Sequence, residues 1–387
     1  MSKKKKLLII SSGFPNESGD YLAHTFVKGF ANEAKDYFDE VIVLALLPLV
    51  PKVIKKRMNA YEKTLQSYSY DNIKVLYRTY PYLPVWPVNK FKGKIAHMFL
   101  SKEVSKLIDE DTVIHANFTS PAGVFAHHLT KNRKNGFVLT VHEDHNWLVN
   151  EIRSSNVDLV NTWKNANAII RVNKLDIGLL NPYCDNLITI PNGYDHRKFK
   201  QLDKDQCREK LGIENDKKVI VNIGFYKDQK NQKLLVAAIK SIPIDIRKNL
   251  LCYIIGGGPL HQELNEQIHN LGLEAVIKLT GQVKQDELPF YLNAADLFCL
   301  SSDSEGNPTV MFEALGVGLP YIGTSVGGVP EIITSEDYGL TCEPGDKEAL
   351  SNIIKQGILK AWNKNKILSY AKEYTWKNIF LTTQKHY

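Results

Sequence analysis

Short runs of consecutive apolar residues, separated by helix-length amphipathic stretches, limit what this chain can fold into more than any other feature. In the first half the runs are Leu7–Ser11, Val41–Leu46, Ile73–Tyr77, Val113–Ala116, Phe137–Val141, Ala168–Val172 and Leu187–Ile190. Strands of this kind, alternating with helical patterns, argue for a parallel sheet covered on both faces. Val219–Gly224, Leu251–Gly256 and Val276–Leu279 repeat the pattern in the second half. At 387 residues the chain is long for one core and suits two units of this α/β type. Parallel sheets bind ligands beyond the carboxyl ends of their strands, so the loops after each run are where chemistry is expected.

Bulk properties exclude several classes. A chain that is 43% hydrophobic and 24% charged folds as a soluble globular protein and is not disordered. Cys184, Cys207, Cys252, Cys299 and Cys342 are odd in number and form no C-x-x-C pair, so no disulfide framework or zinc site is indicated and a cytoplasmic location is expected. The longest apolar run, Val41 to Val50, is interrupted by Pro48 and is too short to span a bilayer. Four apolar residues after the opening lysines read as a first strand, not a signal peptide.

The formal net charge of +7 falls entirely before residue 193. Within that half, Val53, Ile54, Met58, Tyr61 and Leu65 are interleaved with Lys52, Lys55, Lys56, Arg57 and Lys63, and Trp86 and Phe91 with Lys90, Lys92 and Lys94. Such segments suit peripheral contact with the cytoplasmic face of an anionic membrane; the plain alternative is the solvated face of an ordinary helix. No nucleic-acid-binding motif accompanies the charge.

The stretch Ser301–Glu331 carries the chemistry. Asn307 is a favoured helix cap and Pro308 a favoured first helical residue, so a helix is expected to start at Pro308 and run to Gly316. Its first turn offers the free amides of Thr309, Val310 and Met311 to a phosphate. Glu313, about a turn and a half along, is placed to accept hydrogen bonds from vicinal ribose hydroxyls, and Glu305 lies toward the sugar end of such a ligand. Gly306, Gly316, Gly318, Gly323, Gly327 and Gly328 crowd the interval, as expected where backbone turns sharply or approaches a ligand.

The pattern S-x-x-E-G-x-P-x-x-x-x-E-A-x-x-x-G-x-P, followed by V-G-G-V-P-E, resembles the E-x-x-x-x-x-x-x-E signature of retaining glycosyltransferases of family four. The resemblance implies the GT-B fold, two Rossmann-like doubly wound parallel-sheet domains facing across a cleft. It divides this chain into an acceptor domain at 1–194, completed by a C-terminal helix at 372–387, and a nucleotide-sugar donor domain at 195–371. L-I-T-I-P-N-G-Y-D-H-R-K-F at Leu187–Phe199 is similar to the family's exit segment from the first domain.

Residue by residue, the resemblance places ribose on Glu313, diphosphate on the Thr309–Met311 backbone and Lys230, the base beside Gly257 and the backbone of Gln282 and Val283, and the sugar near Glu305, Asn307 and the strand-end His142. His142, Glu305 and Lys230 are the implied catalytic residues. Gly19 stands where one glycine of a phosphate-facing pair is expected, with a plain surface loop as the alternative. This chain departs from the family at Phe225, where an arginine is usual and Lys227 is a candidate substitute, and at Glu143 and His145 after His142. Asp109-Glu110-Asp111 and Asp203-Lys204-Asp205 match D-x-D, but each borders a helix and reads as capping, so no metal or other cofactor is expected.

These readings imply transfer of a sugar, with retention, from a UDP- or GDP-sugar to a glycan or lipid-linked acceptor in surface polysaccharide or glycoconjugate synthesis. The alternatives are a sugar-nucleotide epimerase of GT-B-like architecture and a donor-binding protein without turnover.

Overall fold

The computed structural model describes residues 4–51, 65–85 and 88–387; the basic stretch at 52–64 and Trp86 lie outside the described residues. The chain divides into two units, one comprising Met1–Pro191 with Trp376–Tyr387 and the other Asn192–Thr375.

In the first unit, β1 (Lys4–Ser11), β2 (Phe38–Leu49), β3 (Tyr68–Tyr70), β4 (Ile73–Pro81), β5 (Val113–Asn117), β6 (Val138–Val141), β7 (Ala168–Arg171) and β8 (Leu187–Thr189) form one sheet in the order β3-β4-β2-β1-β5-β6-β7-β8. Every pairing is parallel except that of β3, which lies antiparallel on β4. β1 shows why consecutive apolar residues were needed. Leu8 and Ile10 join one core cluster with Leu44, Ile114 and Leu139, whereas Leu7 and Ile9 join another with Val27, Phe38 and Val43. Pro48 does not end β2, which continues to Leu49; beyond Ala45 only β4 flanks it, so the missing N–H on the other side costs no ladder bond.

The second unit contains β9 (Lys218–Ile223), β10 (Leu250–Ile255), β11 (Ile277–Gly281), β12 (Leu297–Leu300), β13 (Tyr321–Thr324) and β14 (Gly339–Cys342), all parallel, in the order β11-β10-β9-β12-β13-β14. Counted within the unit, this is the 3-2-1-4-5-6 order of dinucleotide-binding folds. The winding reverses between β9 and β12, and in the first unit between β1 and β5. At each reversal the loops leave in opposite directions and open a crevice at the carboxyl edge of the sheet.

Residues 376–387 belong to the first unit. Trp376, Ile379 and Phe380, on the helix Trp376–Thr383, are buried in its core. The indole lies over Gly29, where a Cβ would come within 2.2 Å of the Trp376 Nε1 atom.

Candidate functional site

In the second unit the loops that leave β9 and β12 meet at the switch point. Asp303 N–H donates to the Gln229 carbonyl (2.9 Å), Gln229 Nε2 to the Ser304 carbonyl (2.8 Å), and Ser301 Oγ to the Asn231 carbonyl (2.8 Å). This lacing brings Lys230 and Glu305 together across 75 residues of sequence. Lys230 Nζ and Ser302 Oγ each donate to Glu305 Oε1 at 2.6 Å. The two side chains are only 18% and 8% exposed, so the pair is shielded from solvent.

The following helix runs Thr309–Gly316 with Pro308 as its cap residue in extended geometry. This corrects the expected start at Pro308. Asn307 does not cap the helix, because its side chain is committed elsewhere: Asn192 N–H donates to Asn307 Oδ1 and Asn192 Nδ2 to the Asn307 carbonyl, both at 2.8 Å. The Met311 amide is also spent, on the Pro308 carbonyl at 3.1 Å. Two amides remain at the helix start, since those of Thr309 and Val310 find no acceptor among the described residues.

Glu313 is half-buried and, among the described residues, its carboxylate accepts no hydrogen bond. Burial pushes its carboxyl up from 4.5 to about 7, opposed by the Lys198 ammonium and reinforced by Asp195. Lys198 is lowered in turn, by burial first, with Glu313 pulling the other way. Sequence reasoning missed Lys198, which reads as an ordinary solvated lysine. Its setting follows from the P-N-G-x-D segment being clamped to Asn307.

Glycines bring the remaining loops close. Gly256 and Gly258 have φ of +149° and +150°, and a Cβ on them would lie 2.0 Å from the Gly224 carbonyl oxygen and 2.5 Å from that of Tyr226. The loops after β9 and β10 therefore press backbone on backbone, with Tyr226 N–H donating to the Gly257 carbonyl at 2.7 Å. The Gly256 amide donates to the Gly281 carbonyl (2.9 Å), which sets Gln282, exposed, and Val283, half-buried, beside this wall. Gly327, with φ +55°, is needed for the opposite flank: a Cβ there would lie 1.9 Å from the Glu305 carbonyl oxygen. Phe225 is 57% exposed and fills no core position, and Lys227 is exposed next to it.

The first unit builds a second constellation at its own switch point. His142 follows β6, and its Nε2 lies 3.0 Å from Asn117 Oδ1 at the end of β5. An amide oxygen only accepts, so Nε2 carries the proton and Nδ1 presents a lone pair. Burial holds the ring far below the usual histidine range, helped by His24, Arg171 and His115. Phe26 and Phe118 flank it, with ring centres 4.5 and 5.0 Å away. Phe118 has φ +74° and His24 φ +53°, strained values for side chains of this size. Glu143 turns inward: Thr119 N–H donates to its Oε1 at 2.5 Å, burial raises its carboxyl, and Oε2 has no partner among the described residues. Gly19 sits at the exposed tip of a turn (φ +74°) closed by its N–H to the Asn16 carbonyl at 3.3 Å. His145 Nδ1 lies 2.6 Å from Asp176 Oδ1, and Asp176 also pairs with the buried Arg171.

Both D-x-D sequences have local partners. Asp109 Oδ1 accepts from Thr112 Oγ1 (2.8 Å), and Asp203 caps the helix Lys204–Leu211 through the Gln206 N–H (2.9 Å).

Residues 203–374 match the family model described as glycosyl transferases group 1. The chain is 32% identical over 164 residues to N-acetyl-alpha-D-glucosaminyl L-malate synthase of Bacillus anthracis, covering 42% of each chain. It is 29% identical over 246 residues to the putative teichuronic acid biosynthesis glycosyltransferase TuaC of Bacillus subtilis, covering 62% of this chain and 60% of that one. Both alignments thus span less than two thirds of the relative's length. Anabaena HepE, solved in complex with UDP, superimposes with a TM-score of 0.73 at 19% identity over 98% of each chain, which shows the GT-B fold.

Proposed function

We propose that this chain, whose residues 203–374 form a glycosyl transferases group 1 domain, moves a sugar from a nucleoside-diphosphate-sugar to a glycan or lipid-linked acceptor, with retention and without a metal. The observation that carries the reading is Glu313, a half-buried carboxylate with no hydrogen-bond partner among the described residues, on a helix whose first two amides lack acceptors. A ribose on Glu313 would supply the missing donors, and its diphosphate would lie toward Thr309, Val310 and Lys230. Charge-assisted bonds of that kind contribute about 1.5–3 kcal/mol each. The base is assigned to Gly257 and the Gln282–Val283 backbone, and the sugar to Glu305 and Asn307.

Departure of the diphosphate builds negative charge on the leaving oxygens as the sugar ring becomes cationic. Stabilisation falls to Lys230 and the two amides, with Lys227 replacing the arginine absent at position 225. Glu305 keeps the Lys230 ammonium in place while the site is empty. On the acceptor side the reading rests on His142, neutral and oriented by Asn117, together with the resemblance. UDP is the first nucleotide to try, because the similar HepE was solved with it. Calorimetry of UDP and UDP-glucose binding to wild type and Glu313→Ala tests the assignment; an unchanged affinity in the variant refutes it. An acceptor-free product from the donor would instead point to an epimerase.

A further inference from the structure

The helix Lys92–Val104 carries apolar side chains on both of its sides, and several of those facing away from the core are exposed. Gly93, Ala96, Leu100 and Val104 are buried in the first unit, with Gly93 so tightly seated that a Cβ would lie 2.6 Å from Val124 Cβ. Helical spacing puts Phe91, Met98 and Lys102 on the opposite side, with Phe99 at its margin and Ile95, half-buried, still packed against the core. Phe91, Met98 and Phe99 are 44%, 70% and 61% exposed. Exposed Val85 extends the patch at one end, its carbonyl accepting from Asn89 N–H at 3.1 Å. Exposed Val157 lies near the same end, next to Asn156, whose Nδ2 donates to the Lys90 carbonyl at 3.4 Å. Single exposed apolar side chains are ordinary; several clustered along one helix mark an interaction surface.

The rim decides between partners. Lys94, Lys102 and Lys106 are exposed on this helix or just after it, while its acidic residue Glu103 is paired with Arg78 at 2.6 Å. On the neighbouring helix Asp158 faces His128 at 3.6 Å. Burial lowers the His128 pKa, so that ring does not cancel the Asp158 charge; three exposed lysines against one carboxylate still leave the rim net positive. A second copy of the chain meeting this face across a two-fold axis would set lysines against lysines. An anionic lipid surface satisfies both the exposed apolar cluster and the lysine rim.

We propose that this face docks the first unit on an anionic membrane, with Phe91, Met98 and Phe99 entering the acyl boundary and Lys94 and Lys102 meeting phosphate headgroups. The inference goes beyond the donor reading and can fail separately from it, because vesicle binding needs no nucleotide. The test is flotation of the full chain with phosphatidylcholine vesicles, with and without about one-third phosphatidylglycerol. Binding is expected only to the anionic vesicles and should weaken as salt rises. The double variant Met98→Glu/Phe99→Glu should lose at least about tenfold in partitioning, and Lys94→Glu/Lys102→Glu several-fold. Ile244→Glu, at a side chain 66% exposed in the second unit, should change nothing. All these positions are exposed, so an unchanged Tm certifies folding. Absence of binding to anionic vesicles, or equal binding by wild type and both double variants, overturns the proposal. So does a vesicle-free dimer in sedimentation that Met98→Glu/Phe99→Glu dissociates, which would assign the face to a second copy.

Discussion

Glu313→Gln sets stability against binding at a single side chain. Burial moves this carboxyl from 4.5 to about 7. At about 1.4 kcal/mol per pH unit, the ionised form costs the folded second unit about 3 kcal/mol. The folded chain holds the proton more tightly than the unfolded chain, so this contribution falls as pH rises from 4.5 and is fully lost above about 7. Glutamine keeps the shape and removes the titration. In urea denaturation followed by a probe confined to the second unit, the variant should match wild type near the acid end of that window. Well above pH 7 it should be more stable by up to about 3 kcal/mol. Nucleotide affinity should run the opposite way, because only the carboxylate accepts two ribose hydroxyls well. Wild-type UDP binding should tighten by up to about tenfold per pH unit on approaching pH 7 and then level off, whereas Glu313→Gln should bind weakly at every pH. Equal stability of the two proteins on both sides of the window, or wild-type affinity flat across it, would refute the placement of an unpartnered buried carboxylate at this position.

Two further outcomes follow from the loops. Gly327→Ala combines a φ of +55° with a contact 1.9 Å from the Glu305 carbonyl oxygen. It should cost about 2–4 kcal/mol, read as a lower Tm, whereas Gly345→Ala, equally left-handed but in open space, should cost only about 1 kcal/mol; similar losses would dismiss the contact. Lys230→Met leaves Glu305 without its ammonium and should lower UDP affinity about 10–100-fold. Adding Glu305→Gln should restore thermal stability but not affinity, and a double variant that regains affinity would exclude a phosphate role for Lys230.

The parallel sheets were legible because burial on both faces demands consecutive apolar residues, as Leu7 to Ile10 illustrate. The antiparallel strand Tyr68–Tyr70 was not: three residues joined to β4 by a tight turn carry no period. The four-residue strands Leu297–Leu300, Tyr321–Thr324 and Gly339–Cys342 are too short to separate from helix ends by pattern alone. Around the site, the helix start was misplaced by one residue because a local capping preference at Asn307 lost to Asn192, 115 positions away. Lys198 carried no local signal, since its character comes from lying near Glu313 and from its own burial. Glu305 and Lys230 could be named from a motif, but their mutual ion pair is a tertiary fact.

Trp376, Ile379 and Phe380 fill the interior of the unit that begins at the amino terminus, and the Tyr387 hydroxyl lies 2.8 Å from His115 Nδ1. During synthesis the opening lobe therefore waits, incompletely packed, until the ribosome has translated all of the closing one. Premature termination anywhere in the later lobe would therefore strip the earlier lobe of Trp376, Ile379 and Phe380 as well.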